Sequence, residues 1–278
     1  MKFLIKKEWE KILSQLSFNK NSTKEAPAEK IFFEISQRIK NITRIYPCDH
    51  NTYGIAMTLF HYYICFNNIR NLDTIEICFA CFYMASKIQF RNISLKDLTS
   101  KYKNYIKENN APEKEKNPDF IKYEIQLYSQ LGYDLDIETP YQFFYNYFYY
   151  KYPHNTKEEI EKMTKIKNFC FNLINDTYTR PLSIYYHPKI IYLSCIILSL
   201  KFLEYNEFEI NELIKNEKID LIVECMEKIY GIYYRFIEDN SNINNNINNS
   251  NNDNQKNNSG IKEINNNNII NEKKNENK

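Results

Sequence analysis

The sequence predicts an all-α protein of two tandem five-helix units, with an extra N-terminal helix and a disordered Asn-rich tail. Three observations predict this. The 278 residues include only four Gly and eight Pro, too few turn formers for a hairpin-rich β-protein despite the many Ile, Tyr and Phe. Helix-start signals recur along the chain at helix-length spacing. Two apolar helices in the two halves of the chain also resemble each other residue by residue.

The start signals come in chain order. Asp49 can cap a helix after Pro47. Asp73 with Glu76 and Thr156 with Glu159 read as capping boxes, and Ser94 with Asp97 is a close relative. Pro118, Pro140 and Pro188 stand at plausible first helical positions. These signals give an N-terminal helix near 4–15, then five helices near 26–44, 50–66, 74–90, 94–105 and 118–132. Five more fall near 140–151, 156–177, 188–203, 208–215 and 218–237. The charged stretch Lys101–Lys116 reads as a solvated loop.

The third helix of each set is apolar nearly all round, as a helix surrounded by others must be. Cys78-Phe79-Ala80-Cys81-Phe82-Tyr83-Met84-Ala85-Ser86-Lys87 aligns without gaps on Tyr192-Leu193-Ser194-Cys195-Ile196-Ile197-Leu198-Ser199-Leu200-Lys201. Small residues face small ones, and both runs end in Lys. The implied organisation is 1–25 N-terminal helix and linker, 26–138 first unit, 139–239 second unit and 240–278 low-complexity tail.

Composition excludes several functions. Net charge is +2 with no basic stripe, so direct nucleic-acid binding is not expected. The first residues lack a signal-peptide apolar run. The longest apolar run, Ile190–Leu200, is too short for a bilayer, which needs about 20 residues. A soluble intracellular protein without membrane contact is expected. The seven cysteines are odd in number, and Cys78-x-x-Cys81 has no second pair or His at zinc spacing. They read as reduced packing residues, with no metal, cofactor or small-molecule ligand. The four histidines form no metalloenzyme motif, and no glycine loop or nucleophile motif is present. His61, on an apolar helix, reads as a core His.

Several ordered motifs resemble transcription-type cyclins (K, L, T and C). The run Phe79–Lys87 is similar to their third helix, which ends in Ala-x-Lys. Tyr123-Glu124-Ile125-Gln126-Leu127-Tyr128-Ser129-Gln130-Leu131-Gly132-Tyr133-Asp134-Leu135 is similar to their fifth helix and the Leu-Gly-Phe-Asp-Leu after it. Thr139-Pro140-Tyr141-Gln142-Phe143-Phe144 resembles the opening of their second box, and Leu59-Phe60-His61-Tyr62-Tyr63 their second helix. Asn175-Asp176, Pro181-Leu182-Ser183-Ile184 and Pro188-Lys189-Ile190-Ile191 resemble later parts of that box. Together these span about 31–236 in order.

The resemblance implies tandem cyclin boxes and a regulatory subunit, not an enzyme, that binds and allosterically activates a cyclin-dependent protein kinase of the transcription-associated class. It implies a nuclear protein, or as an alternative one also in the cytoplasm. Lys87 and Glu124 are the implied clamp on the kinase beside its C helix, with Ile88, Tyr128, Tyr133 and Leu135 in the same interface. Ile121, Ile125 and Tyr128 form a helical stripe that includes Glu124, and an acid among apolar neighbours requires a partner.

Departures narrow the inference. The usual Val-Glu-Glu after the Lys is Ile88-Gln89-Phe90 here. The resemblance therefore does not carry over acidic contacts to a kinase activation segment. Phe32-Phe33-Glu34-Ile35 lacks the substrate-docking pattern of cell-cycle cyclins. Trp9 is expected to pack on the first box or the kinase. The alternatives are a cyclin-fold scaffold without a kinase and a basal transcription factor B-like protein; the latter needs a zinc ribbon and a basic face.

Overall fold

The computed structural model describes residues 28–67, 73–111, 117–150, 156–204, 213–215 and 217–233. The chain divides into two units, Met1–Ile229 and Tyr230–Lys278. Of the second, residues 230–233 are described and are helical. The expected N-terminal helix and Trp9, the tail, and most of the expected helix 208–215 lie outside the described residues.

Among the described residues the secondary structure is helical, without strands. The helices are α1 (Ala28–Ile45), α2 (His50–Phe66), α3 (Thr74–Ile88), α4 (Leu95–Glu108), α5 (Phe120–Gln130), α6 (Pro140–Tyr150), α7 (Lys157–Thr177), α8 (Leu182–Tyr185) and α9 (Pro188–Phe202). Residues 219–229 form α10.

Most starts are set by the expected caps, whose side chains satisfy orphan N–H groups of the first turn. Asp49 accepts from Thr52 N–H at 2.8 Å, and Asp73 from Ile75 and Glu76 N–H at 3.0 and 3.1 Å. Ser94 accepts from Asp97 N–H at 3.2 Å. Thr156 and Glu159 close a full capping box. His187 Nδ1 accepts from Lys189 N–H at 3.2 Å, with Pro188 opening α9.

Three expectations are corrected. Pro118 does not open α5: Asp119 caps it, accepting from Lys122 N–H at 3.1 Å, so the helix starts at Phe120. The segment 101–108 is helix rather than solvated loop, because Leu98, Tyr102, Tyr105 and Ile106 form a buried stripe that outweighs the surrounding lysines. The short α8 was not expected at all. It is one turn between Pro181 and Tyr186, too brief to show periodicity.

Both third helices are hubs. In α3 every residue from Glu76 to Ser86 is buried, and in α9 every residue from Ile190 to Leu200. α3 packs against α1, α2, α4 and α5; α9 packs against α6, α7 and α8. Phe79 meets the rings of Tyr102, Tyr105 and Phe120 at centroid distances of 5.4, 5.6 and 6.3 Å. Cys78 and Cys81 are part of this core, and burial pushes the Cys78 thiol up to about 12. Such a thiol stays protonated and unreactive.

The aligned hubs also end alike. Helix α3 finishes with Phe90 N–H donating to Lys87 C=O and Arg91 N–H donating to Ser86 C=O, with Phe90 at φ 55°. Helix α9 finishes with Glu204 N–H donating to Lys201 C=O, with Glu204 at φ 57°. This is the left-handed C-cap that Gly normally supplies. A side chain there costs about 1–2 kcal/mol.

Helix α2 also packs against α6 and α8. At Gly54 the approach is closest: an added Cβ would lie 2.6 Å from Tyr178 Oη and 3.1 Å from Thr139 Cγ2 and Tyr141 Cδ2. Tyr178 is itself fixed, 2% exposed and stacked on Tyr141. In a free helix Gly→Ala would be favourable by about 1 kcal/mol; the clash reverses the sign. Gly54→Ala is expected to destabilise by about 1–3 kcal/mol, lowering the melting temperature by about 2–8 °C. A raised melting temperature would contradict this packing.

Candidate functional site

Helices α3 and α5 lie side by side and are tied at two points. Near their starts, the Glu76 carboxylate accepts from Asp119 N–H at 2.6 Å. Near the end of α3, Lys87 Nζ donates to both Glu124 oxygens, at 2.6 and 2.8 Å. The structure therefore brings together Lys87 and Glu124 inside the free chain.

The two partners differ in exposure. The Glu124 side chain is 10% exposed and that of Lys87 39%. Glu124 faces inward because it shares its helix face with buried Leu127 and Phe120. Lys87 sits in the last turn of α3, where a cation also meets the negative end of the helix dipole. Its ammonium lies 4.2 Å from the centroid of the Tyr83 ring, one turn back and almost wholly buried. Burial alone would lower the Lys87 pKa; hydrogen bonding to Glu124, its charge and the Tyr83 hydroxyl outweigh this and raise it. Lys87 is held charged and oriented before any partner arrives.

Helix α5 and the residues after it also carry exposed apolar side chains. Ile121 and Ile125 are 46% and 62% exposed, so the expected stripe faces outward while Glu124 turns in. Ile88 and Tyr128 are half-buried. Tyr133, at φ 62°, is exposed and stacks on Tyr128 at 6.4 Å with an interplanar angle of 21°. Leu135 lies beyond the tyrosine pair and is half-buried; its carbonyl accepts from Ile137 N–H.

Two neighbours of the site escaped the sequence reading. Tyr83 is four residues before Lys87 on one helix face, a spacing that could have flagged it. Phe90 follows the end of α3 and is 98% exposed; nothing in its sequence neighbourhood announces a left-handed backbone.

Among the described residues no group of His, Cys, Asp or Glu is placed to hold a metal ion. No helix there is long and apolar enough to cross a membrane.

No family model matches the sequence. Over 152 residues the chain is 21% identical to Cyclin-K of Danio rerio. That match covers 54% of this chain and 35% of that protein, so the chain spans about a third of the relative's length. Among solved structures, the fold is similar to a chain of the CAK complex from Chaetomium thermophilum bound to ATP-gamma-S. The TM-score is 0.54 at 14% identity, covering 81% of this chain and 70% of that one. It is also similar to a chain of the yeast TFIIK complex, with a TM-score of 0.52 at 14% identity, covering 81% and 95%. The all-α fold expected from sequence is the fold these chains share, and in sequence the chain resembles a transcription-type cyclin.

Proposed function

We propose that this chain is a cyclin-like regulatory subunit, not itself an enzyme, that binds and allosterically activates a cyclin-dependent protein kinase of the transcription-associated class. The observation that carries the proposal is the pre-formed Lys87–Glu124 pair, with Ile121 and Ile125 exposed on the helix that carries Glu124. Its residues stand at the positions that the cyclin resemblance assigns to the kinase clamp. Ile88, Tyr128, Tyr133 and Leu135 form the rest of the interface. The likeness to Cyclin-K and to chains of the CAK and TFIIK complexes supports the class and a nuclear location. The two boxes divide at 138/139, the first from 26 and the second to 239.

A kinase is active when its strand-three Lys pairs with its C-helix Glu and its activation loop is ordered. A protein that packs on the C helix only in that position shifts the equilibrium by its differential affinity. The apolar stripe on α5 supplies area for such packing. The Lys87–Glu124 pair supplies directed hydrogen bonds: Lys87 donates, and each Glu124 oxygen keeps a lone pair beyond the one Lys87 uses.

The test is to purify, one by one, the cyclin-dependent kinases encoded by the source genome and titrate each with this chain by calorimetry. A one-to-one complex with at least one of them is expected. Binding to none would overturn the proposal.

A further inference from the structure

Phe90 is an exposed aromatic on a left-handed backbone. Three neighbours at this helix end hold side-chain contacts within the protein. Gln89 accepts from Asn51 Nδ2 at 3.3 Å. Arg91 donates to Pro47 C=O at 2.9 Å and reaches Asp49 at 3.4 Å. Lys87 is committed to Glu124. Phe90 is 98% exposed at φ 55°.

Single exposed apolar residues are ordinary on protein surfaces. The left-handed backbone is a helix C-cap, as at Glu204 on α9; what sets Phe90 apart is a ring 98% exposed beside the Lys87–Glu124 pair. Folding gains little from a ring that solvent surrounds. The ring is three residues from Lys87 on the same helix cap, and its amide donates to the Lys87 carbonyl at 2.9 Å. A partner that covers the Lys87–Glu124 pair also meets Phe90.

We propose that Phe90 is a specificity-determining anchor, inserting into an apolar pocket on the same kinase that the Lys87–Glu124 pair engages. This rests on the proposed function and deepens it by naming the chemistry that the partner must present. The pocket is lined by aliphatic or aromatic side chains rather than by arginines or lysines, because the chain offers no acid at this point. Its occupant is the kinase; a second copy of this chain is the competing occupant.

The test uses the full chain and the purified kinase that binds it in calorimetry. Phe90→Gly removes the ring and relieves the backbone. Phe90→Asn removes the ring but keeps a residue that tolerates the left-handed region, so a loss shared by both variants is not due to added flexibility. Both are expected to melt at or up to about 2–4 °C above the wild type and to bind the kinase about 30-fold more weakly, as for a buried aromatic anchor. Binding within threefold of the wild type for either variant overturns the inference. If Lys87→Glu still weakens binding in that case, the kinase-binding function stands without it. Failure of the wild type to bind any kinase overturns both. Sedimentation in which wild type self-associates and Phe90→Gly does not would assign the ring to a second copy, which also overturns it.

Discussion

Lys87→Glu is expected to weaken kinase binding by about 30-fold to several thousand-fold, which corresponds to about 2–5 kcal/mol. In the complex, both charges of the clamp lose water and are held by directed hydrogen bonds, so reversing one leaves a buried charge facing the wrong group. The free chain is destabilised as well, because reversal removes both donors from the Glu124 carboxylate, 10% exposed, and sets a second carboxylate against it. Glu124 is the more sensitive partner for folding, since it is buried and Lys87 satisfies both of its oxygens. Glu124→Lys is therefore expected to lower both affinity and melting temperature. The double swap separates the two roles. Lys87→Glu with Glu124→Lys restores an ion pair and is expected to recover the melt, while affinity stays low because the partner meets inverted charges. Calorimetry and thermal melts of the three variants decide it; affinity that recovers together with the melt would mean that the pair serves the fold alone.

Acid is expected to destabilise the chain through His61. This side chain is wholly buried on α2. Its Nδ1 lies 3.1 Å from Ser183 Oγ on α8, its Nε2 has no well-aligned hydrogen bond, and the Tyr178 backbone lies near the ring. Burial lowers its pKa from 6.5 to about 3, against the smaller opposing pull of that backbone. The folded-state pKa is depressed, so the folded chain keeps His61 neutral while the unfolded chain protonates it below 6.5. Stability from this site is complete above pH 6.5 and falls as pH drops toward 3. Each unit in that window removes about 1.4 kcal/mol, or about 2 kcal/mol at pH 5 relative to pH 7. His61→Gln lacks this proton uptake and can still pair with Ser183. Denaturant unfolding at pH 7 and pH 5 should show a drop about 2 kcal/mol smaller in the variant. Equal drops would contradict the buried, neutral imidazole.

The fold was legible wherever a single side chain sets a helix end. Helix α2 runs over 50–66 as expected because Asp49 is the cap, and α7 and α9 begin where Thr156 and Pro188 put them. The hub helices were legible because burial all round leaves no polar stripe. Pro118 misled because a Pro two positions before a helix is as compatible with its φ as one inside, and only the Asp119 contact distinguishes them. Lysines hid the second half of α4, whose four buried residues occupy one face. In the site, the pairing of Lys87 with Glu124 followed from resemblance; spacing placed Glu124 on the Ile121 and Ile125 stripe, from which it turns away. The outward turn of Ile121 and Ile125 did not, because an apolar stripe has the same period whether it faces a core or an absent partner. Tyr83 and Phe90 depend on side-chain direction and backbone hand, which composition and period do not encode.

Activation through the Lys87–Glu124 surface is measured by a kinase assay on the kinase identified by calorimetry. Its phosphorylation of a peptide substrate is measured alone, with wild-type chain at a concentration equal to its Kd, and with the same concentration of the Lys87→Glu variant. A large rise in kcat/KM is expected with the wild type and, at that matched concentration, activity near that of the kinase alone with Lys87→Glu. Equal activation by both proteins, or binding by the wild type without any rise in kinase activity, would contradict it.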